Sequence, residues 1–131
     1  MANTETDPLQ QVVMLYDGAM KFLRLAASNI EAREITQKGA HVNRALDILS
    51  YLQNILDFEN GGEVAHTLDR LYSLVSVKVL KASAALDASE MRAAADLLAP
   101  VRDSWSTVAE VAKTPQVPVP VNPPRLQQVT A

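Results

Sequence analysis

Apolar residues recur at alternating steps of three and four positions in four successive stretches of the chain, and this pattern constrains the fold more than any other feature. An α-helix has about 3.6 residues per turn, so such steps place the side chains on one helix face. We expect the first helix to span residues 8 to 33, with Asp7 as its N-cap and Pro8 in its first turn. Its apolar face consists of Val12, Tyr16, Ala19, Leu23, Ala26 and Ile30.

Two further helical faces flank an Asn-Gly-Gly sequence at residues 60–62. Asn and Gly readily adopt the left-handed conformation that closes a helix C-terminus, so we expect the second helix to end there. The face before this sequence consists of Val42, Ala45, Leu49, Leu52 and Leu56. The face after it consists of Ala65, Leu68, Tyr72, Val75, Val79, Ala82 and Leu86.

A fourth helical face begins after Asp87, which together with Glu90 resembles a capping box. This face consists of Met91, Ala94, Leu98, Val101, Trp105, Val108 and Ala112. Pro100 lies inside the run, where it lacks the N–H that would bond to the carbonyl of Asp96. Because apolar residues continue in phase beyond Pro100, the pattern predicts a bend between Asp96 and Pro100 rather than the end of the helix.

The chain changes character after Lys113, where five of the seven prolines occur. Proline favours extended conformations and such a composition offers no second core, so we expect a disordered tail over residues 114–131. Residues 1–7 are expected to form a short flexible segment and residues 8–113 the folded domain. Four amphipathic helices with short connections indicate an all-α fold, the antiparallel up-and-down four-helix bundle.

The composition excludes several classes of protein. The 131 residues contain no cysteine, so disulfide frameworks and thiolate metal sites are excluded. A formal net charge of −3 lacks the basic surplus typical of proteins that bind nucleic acid. The sequence shows neither a signal peptide nor a run of about 20 apolar residues, so we expect no membrane insertion and a cytoplasmic location.

Residues with catalytic or metal-binding chemistry are few. Glu63 and His66 form one Glu-x-x-His motif, but the iron centres of helical bundles need two such motifs and further glutamates. Neither His66 nor His41 has the sequence context of a phosphotransfer histidine. Nucleophilic catalysis would need a base and an orienting acid beside a serine or threonine, and no motif provides them. We therefore predict that the chain is not an enzyme and holds no metal or cofactor.

Apolar residues outside the main faces indicate a binding surface. Each helix of a bundle buries about 100° of its circumference, so additional apolar rows need another cover. The candidates on the second and third helices are Ile48, Tyr51, Ile55, Leu74 and Val77. An apolar segment of another protein would fit these rows by helix-in-groove recognition. The alternative cover is a second copy of the chain, which would make the protein a self-associating structural or adaptor module.

Three short motifs occur in order along the predicted helices. Residues 14–19 read Met-Leu-Tyr-Asp-Gly-Ala, residues 56–65 read Leu-Asp-Phe-Glu-Asn-Gly-Gly-Glu-Val-Ala, and residues 102–105 read Arg-Asp-Ser-Trp. The positions that carry these motifs are Tyr16, Asp17, Gly18, Asp57, Phe58, Gly61, Gly62, Leu68, Tyr72, Arg102 and Trp105. Together they resemble the bacterial flagellar secretion chaperones, the FliS family.

The resemblance implies a protein of the bacterial cytosol that acts by binding. In that family, an antiparallel four-helix bundle binds the disordered C-terminal segment of newly made flagellin. Binding prevents premature polymerisation and assists delivery of flagellin to the flagellar type III export gate. The resemblance thus names a partner for the apolar rows.

Physical chemistry suggests a role for several motif residues. Tyr16, Tyr72 and Trp105 lie on the main apolar faces, so we expect their rings in the core with the polar groups reaching a partner at the edge of the bundle. Gly18 is expected to permit close approach by a neighbouring helix or by the partner chain. Arg102 is expected to pair with an acid of the second motif.

Overall fold

The computed structural model describes residues 7–111 and 120–122, and within these ranges the fold is all-α. The helices are α1 (Pro8–Glu31), α2 (Ile35–Asn54), α3 (Phe58–Ala85) and α4 (Ala88–Val111). In the described part of the chain, β-type pairing is confined to one isolated bridge between Leu56 and Val121. The predicted all-α class with four helices is confirmed.

The start of α1 is fixed by Asp7 and Pro8, as predicted. The Asp7 Oδ1 accepts a hydrogen bond from the backbone N–H of Leu9 at 2.8 Å, and Pro8 occupies the first helical position. The helix ends at Glu31 rather than at residue 33, because Arg33 is left-handed with a φ of 62°. The predicted face is buried apart from its half-buried last member, Ile30: Val12, Tyr16, Ala19, Leu23 and Ala26.

The junction between α2 and α3 differs from the prediction. α2 ends at Asn54, and residues 60–62 lie inside α3 instead of closing α2. The cause is Asp57, whose Oδ1 accepts a hydrogen bond from the backbone N–H of Asn60 at 3.1 Å and so caps a new helix. Gly62 is nevertheless non-helical, with a φ of 52° and a ψ of −128°. The left-handed glycine that the sequence indicates therefore kinks the first turns of α3 rather than ending α2.

The predicted face of α3 is buried except at its end. The buried members are Ala65, Leu68, Tyr72, Val75, Val79 and Ala82. The Leu86 side chain is 49% exposed, because this residue is the C-cap of α3 and adopts a left-handed conformation with a φ of 53°. The left-handed backbone takes Leu86 off the helical face, so its prediction as a core residue is wrong.

α4 begins and continues as predicted. The Asp87 Oδ1 accepts a hydrogen bond from the backbone N–H of Glu90 at 3.0 Å. The helix continues through Pro100 to Val111, which confirms that Pro100 does not end it. The bend between Asp96 and Pro100 stays a prediction.

The face of α4 divides into buried and half-buried residues. Its buried members are Met91, Ala94, Leu98 and Trp105. Val101 and Val108 are half-buried and pack at the edge of the core, and Ala112 lies outside the described residues. Two further alanines, Ala95 and Ala109, are buried beside this face.

The helices form a ring in which α1 and α3 each pack against both α2 and α4. Ion pairs between α1 and α4 join residues in opposite chain order: Arg92 with Glu31, Asp96 with Arg24, and Arg102 with Asp17. Hydrogen bonds between α2 and α3 also run in opposite order: Lys38 with Ser83, and Gln53 with Asp69. The buried apolar side chains of all four helices form one core.

A short part of the proline-rich region packs against the α2–α3 turn. The backbone N–H of Asp57 donates to the carbonyl of Pro120 at 2.9 Å, and that of Asn122 donates to the carbonyl of Ile55 at 2.9 Å. Val121 lies between these bonds and is buried.

The prediction of a disordered tail over 114–131 is therefore wrong for residues 120–122. The α2–α3 turn leaves backbone donors and acceptors outside the helices, and an extended segment can pair with them. The other residues of the predicted tail lie outside the described ranges, as do residues 1–6 of the predicted N-terminal segment.

Candidate functional site

Three aromatic residues of the sequence motifs meet in the core. Tyr16 on α1, Tyr72 on α3 and Trp105 on α4 are all buried, which confirms their prediction as core residues. The Tyr16 and Tyr72 hydroxyl oxygens lie 2.6 Å apart, and the Trp105 Nε1–H donates to the Tyr16 hydroxyl at 3.2 Å. Their polar groups thus contact one another, and the expectation that they reach a partner at the edge is wrong. We name these three residues the aromatic cluster.

Burial governs the ionisation of the aromatic cluster. Desolvation raises the pKa of Tyr16 from 10.0 to about 12, although its hydrogen bonds with Tyr72 and Trp105 act in the opposite direction. The pKa of Tyr72 is also raised, first by desolvation and then by the neighbouring Tyr16. Both hydroxyls are therefore neutral near pH 7.

Two other motif residues form an ion pair at the surface between α1 and α4. The Arg102 Nε donates to Asp17 Oδ1 at 2.8 Å, and its Nη2 donates to Asp17 Oδ2 at 3.3 Å. The expectation that Arg102 pairs with an acid of the second motif is therefore wrong, because Arg102 lies over α1. Asp57 instead caps α3, where hydrogen bonds from the backbone and side chain of Asn60 lower its pKa.

Gly18 lies in the middle of α1 at a point where α2 passes close to it. A Cβ atom at this position would lie 3.4 Å from the Cδ1 of Ile48, which is an ordinary van der Waals distance. The observation supports the predicted close approach of a neighbouring helix. It also indicates that the site has room for one methyl group.

Gly18→Ala is expected to raise the free energy of unfolding by about 0.5–1 kcal/mol, because alanine has the higher helix propensity. Urea unfolding followed by circular dichroism measures the change. Gly39→Ala in α2 is the matched control, since no atom would lie within 4 Å of its Cβ. A loss of stability in Gly18→Ala beside a gain in Gly39→Ala would show that the contact with Ile48 does not accept the methyl group.

An apolar groove lies along the seam between α3 and α4, and we name it the Trp105 groove. Its volume is about 380 Å³. The lining consists of Val64, Leu68, Val101, Ser104, Trp105, Thr107, Val108, Val111 and Pro120. None of these side chains is charged, so the groove suits an apolar segment of a partner.

A second groove of about 400 Å³ lies along the same seam toward the C-terminal end of α3, and we name it the Lys78 groove. Its lining consists of Leu74, Val77, Lys78, Lys81, Ala82, Ala85, Asp87 and Glu90. The Lys78 Nζ donates to Glu90 Oε1 at 2.7 Å, which links α3 to α4 across the groove. This groove therefore combines exposed apolar side chains with a charged wall.

The five predicted partner-binding residues do not share one surface. Leu74 and Val77 are exposed and line the Lys78 groove. Ile48 and Ile55 are half-buried and pack against the core, so they do not form an open apolar row. Tyr51 is half-buried on α2. Their role in partner binding stays a prediction.

The sequence does not predict the Trp105 groove, because most of the apolar residues that line it follow the main helical faces. Periodicity assigns Leu68, Val101 and Val108 to the core and cannot separate a core residue from one that lines a groove on the same face. The two residues that could have indicated a groove are Val64 and Val111. Both lie outside the predicted faces, at the adjacent ends of α3 and α4, and both are exposed.

Each of the two histidines contacts a neighbouring side chain of the bundle. The His41 Nδ1 lies 2.7 Å from the Oδ1 of Asn29. The exposed His66 ring packs against Phe58 with 4.7 Å between ring centroids, and Glu63 is also exposed. Across residues 7–111 and 120–122, no group of three or more His, Cys, Asp or Glu side chains is arranged to hold a metal ion. None of the helices described has the length and apolar character of a membrane span.

Comparison with known proteins identifies similar chains. The sequence matches the family described as "Flagellar protein FliS" over residues 1–112, a range that includes α1 to α4. It is 29% identical over 106 residues to the flagellar secretion chaperone FliSB of Pseudomonas aeruginosa, covering 81% of this chain and 84% of that protein. It is 31% identical over 103 residues to the flagellar secretion chaperone FliS of Salmonella typhimurium, covering 78% and 76% respectively.

Proposed function

The chain belongs to the FliS family of flagellar proteins, and we propose that it is an export chaperone for flagellin. It binds the disordered C-terminal segment of newly made flagellin in the bacterial cytosol and keeps flagellin from polymerising there. It then assists delivery of flagellin to the flagellar type III export gate. The name secretion chaperone, which the relatives from Pseudomonas aeruginosa and Salmonella typhimurium carry, supports this role.

The observation that carries the proposal is the Trp105 groove. A disordered segment loses conformational entropy when it binds, so it needs a long apolar contact to compensate. The uncharged lining of this groove offers such a contact without leaving a buried charge unpaired. Binding needs no covalent step, metal or nucleotide.

The Lys78 groove extends the proposed contact along the same seam. Val64 and Val77, which line the two grooves, are separated by about 20 Å along the axis of α3. A segment of flagellin that follows the seam therefore contacts both grooves, with Leu74 and Val77 as its second apolar contact. Ile48 and Tyr51 of α2 and Ile55 directly after it are the remaining candidates for contact.

The reversed order of contacts between α1 and α4 and between α2 and α3 supports an antiparallel up-and-down bundle. In this arrangement neighbouring helices lie side by side over most of their length. The seam between α3 and α4 is then long enough to hold an extended or helical segment of the partner.

Calorimetric titration of the full-length protein with the C-terminal segment of flagellin from the same organism tests the proposal. We expect saturable one-to-one binding with a large negative heat-capacity change, because ordering an apolar segment removes apolar surface from water. A peptide of the same composition in scrambled order is the control. A folded protein that does not bind the flagellin segment would refute the proposal.

Light scattering on the same samples addresses the alternative of a self-associating module. The chaperone proposal expects a complex of one chain with one flagellin segment. A homodimer that persists at saturating concentrations of the segment would favour a structural or adaptor role instead, with a second copy covering the exposed apolar residues.

A further inference from the structure

The α2–α3 turn holds an extended segment from the C-terminal region of the same chain. The backbone N–H of Asp57 donates to the carbonyl of Pro120, and the N–H of Asn122 donates to the carbonyl of Ile55, each at 2.9 Å. Val121, between them, is 4% exposed and belongs to the core. Such pairing uses main-chain groups and one apolar side chain, so a segment of a different protein could make the same contacts.

Gly61 provides the space for this segment. A Cβ atom at Gly61 would lie 2.7 Å from the Cα of Pro120 and 2.8 Å from its Cβ, and these distances are too short for carbon atoms. Glycine is therefore needed at position 61 because a side chain would collide with Pro120. At position 62 glycine is favoured for a different reason, which is the positive φ of its backbone. The presence of each glycine in the second motif is thus explained by a different physical requirement.

Pro120 also lines the Trp105 groove, together with Val64 of α3 and Val111 of α4. The segment at the α2–α3 turn therefore forms the wall at one end of the groove in which we place flagellin. Two hydrogen bonds and the buried Val121 side chain hold it, and the net contribution of the hydrogen bonds is modest because water would satisfy the same groups after release. A partner that makes a longer contact can displace it.

We propose that residues 120–122 are a displaceable occupant of the partner site and lower the affinity of the free chain for flagellin. This inference rests on the proposed function. The competing ligand is an extended apolar segment of flagellin that uses the same main-chain groups of Ile55 and Asp57. The C-terminal region then acts as an autoinhibitory contact, and binding includes its release.

Three variants of the full-length chain test this proposal. Val121→Asp places a carboxylate at a buried position and should release the segment. Asn122→Asp is the matched control, because it adds the same charge at the adjacent exposed position and keeps its backbone N–H. Gly61→Ala displaces Pro120 from the opposite side without changing the segment itself.

Hydrogen exchange at the Asp57 amide measures the docking directly, since this N–H bonds to Pro120. We expect exchange to accelerate by about tenfold or more in Val121→Asp and Gly61→Ala and to stay unchanged in Asn122→Asp. Titration with the flagellin C-terminal segment should show about three- to tenfold tighter binding in the first two variants.

Each result decides one part of the proposal. Equal exchange rates in all variants and the wild type would overturn the docking itself. Faster exchange with unchanged affinity would overturn the autoinhibitory role. If neither the wild type nor Val121→Asp binds flagellin, the proposed function fails and the regulation fails with it, while the exchange rates still report the docking.

Discussion

The free energy of unfolding is expected to fall by about 2 kcal/mol through Tyr16 alone when the pH rises from 10 to 12. Burial raises the pKa of Tyr16 from 10.0 to about 12, so the native state keeps its proton at a pH at which the unfolded state has lost it. The unfolded state binds fewer protons in this window, and stability therefore decreases as the pH rises. Tyr72, whose pKa is also raised by burial, acts in the same direction.

Urea unfolding at a series of pH values from neutral to 12 measures this effect, and variants assign it. Tyr16→Phe should reduce the alkaline loss, and the double variant with Tyr72→Phe should reduce it further. Tyr51→Phe, which changes a half-buried tyrosine outside the aromatic cluster, is the control for alkaline effects elsewhere in the chain. An equally steep alkaline loss in the double variant would contradict the assignment to the aromatic cluster.

The same variants differ at neutral pH. Tyr16→Phe removes the acceptor of the Trp105 N–H and leaves a buried donor unpaired, which costs about 1–3 kcal/mol. Tyr72→Phe keeps the hydrogen bond between Trp105 and Tyr16, so we expect a smaller loss. Equal losses would indicate that the indole N–H finds another partner.

Helix number and capping could be predicted because they depend on residues that are close in sequence. Asp7 and Asp87 each accept a hydrogen bond from a backbone N–H two or three residues ahead. The apolar periodicity of a helix can likewise be recognised without knowing where the other helices lie. The end of α2 was placed wrongly because two local signals compete there. Asp57 begins a new helix before the glycines, and the left-handed Gly62 becomes a kink inside α3.

The candidate site was less predictable because it depends on the register between helices. The rings of Tyr16, Tyr72 and Trp105 could be assigned to the core from their positions in the apolar periodicity. Their mutual hydrogen bonds could be predicted only if the relative placement of α1, α3 and α4 were known. Arg102 was assigned the wrong acid for the same reason, since Asp17 is 85 positions away in sequence. A groove between helices has no local sequence pattern of its own.

Val64→Asp is expected to weaken binding of the flagellin C-terminal segment by about 10- to 100-fold, because the complex would bury an unpaired carboxylate. Val64 is 56% exposed in the free protein, so the substitution does not disturb the core. It also lies in the first turns of α3, where a negative charge suits the helix dipole. Calorimetric titration measures the affinity, and thermal unfolding by circular dichroism checks that the fold is retained.

Val77→Asp is the matched comparison, since it makes the same change on the same helix at a side chain that is 48% exposed. We expect a loss of less than about threefold, because Lys78 and Lys81 line the same groove and can pair with the new carboxylate. A larger loss in Val77→Asp than in Val64→Asp would move the main contact to the Lys78 groove. Unchanged affinity in both variants would exclude the α3–α4 seam. It would leave Ile48 and Tyr51 of α2, together with Ile55 directly after α2, as the residues to test, since none of them lines either groove.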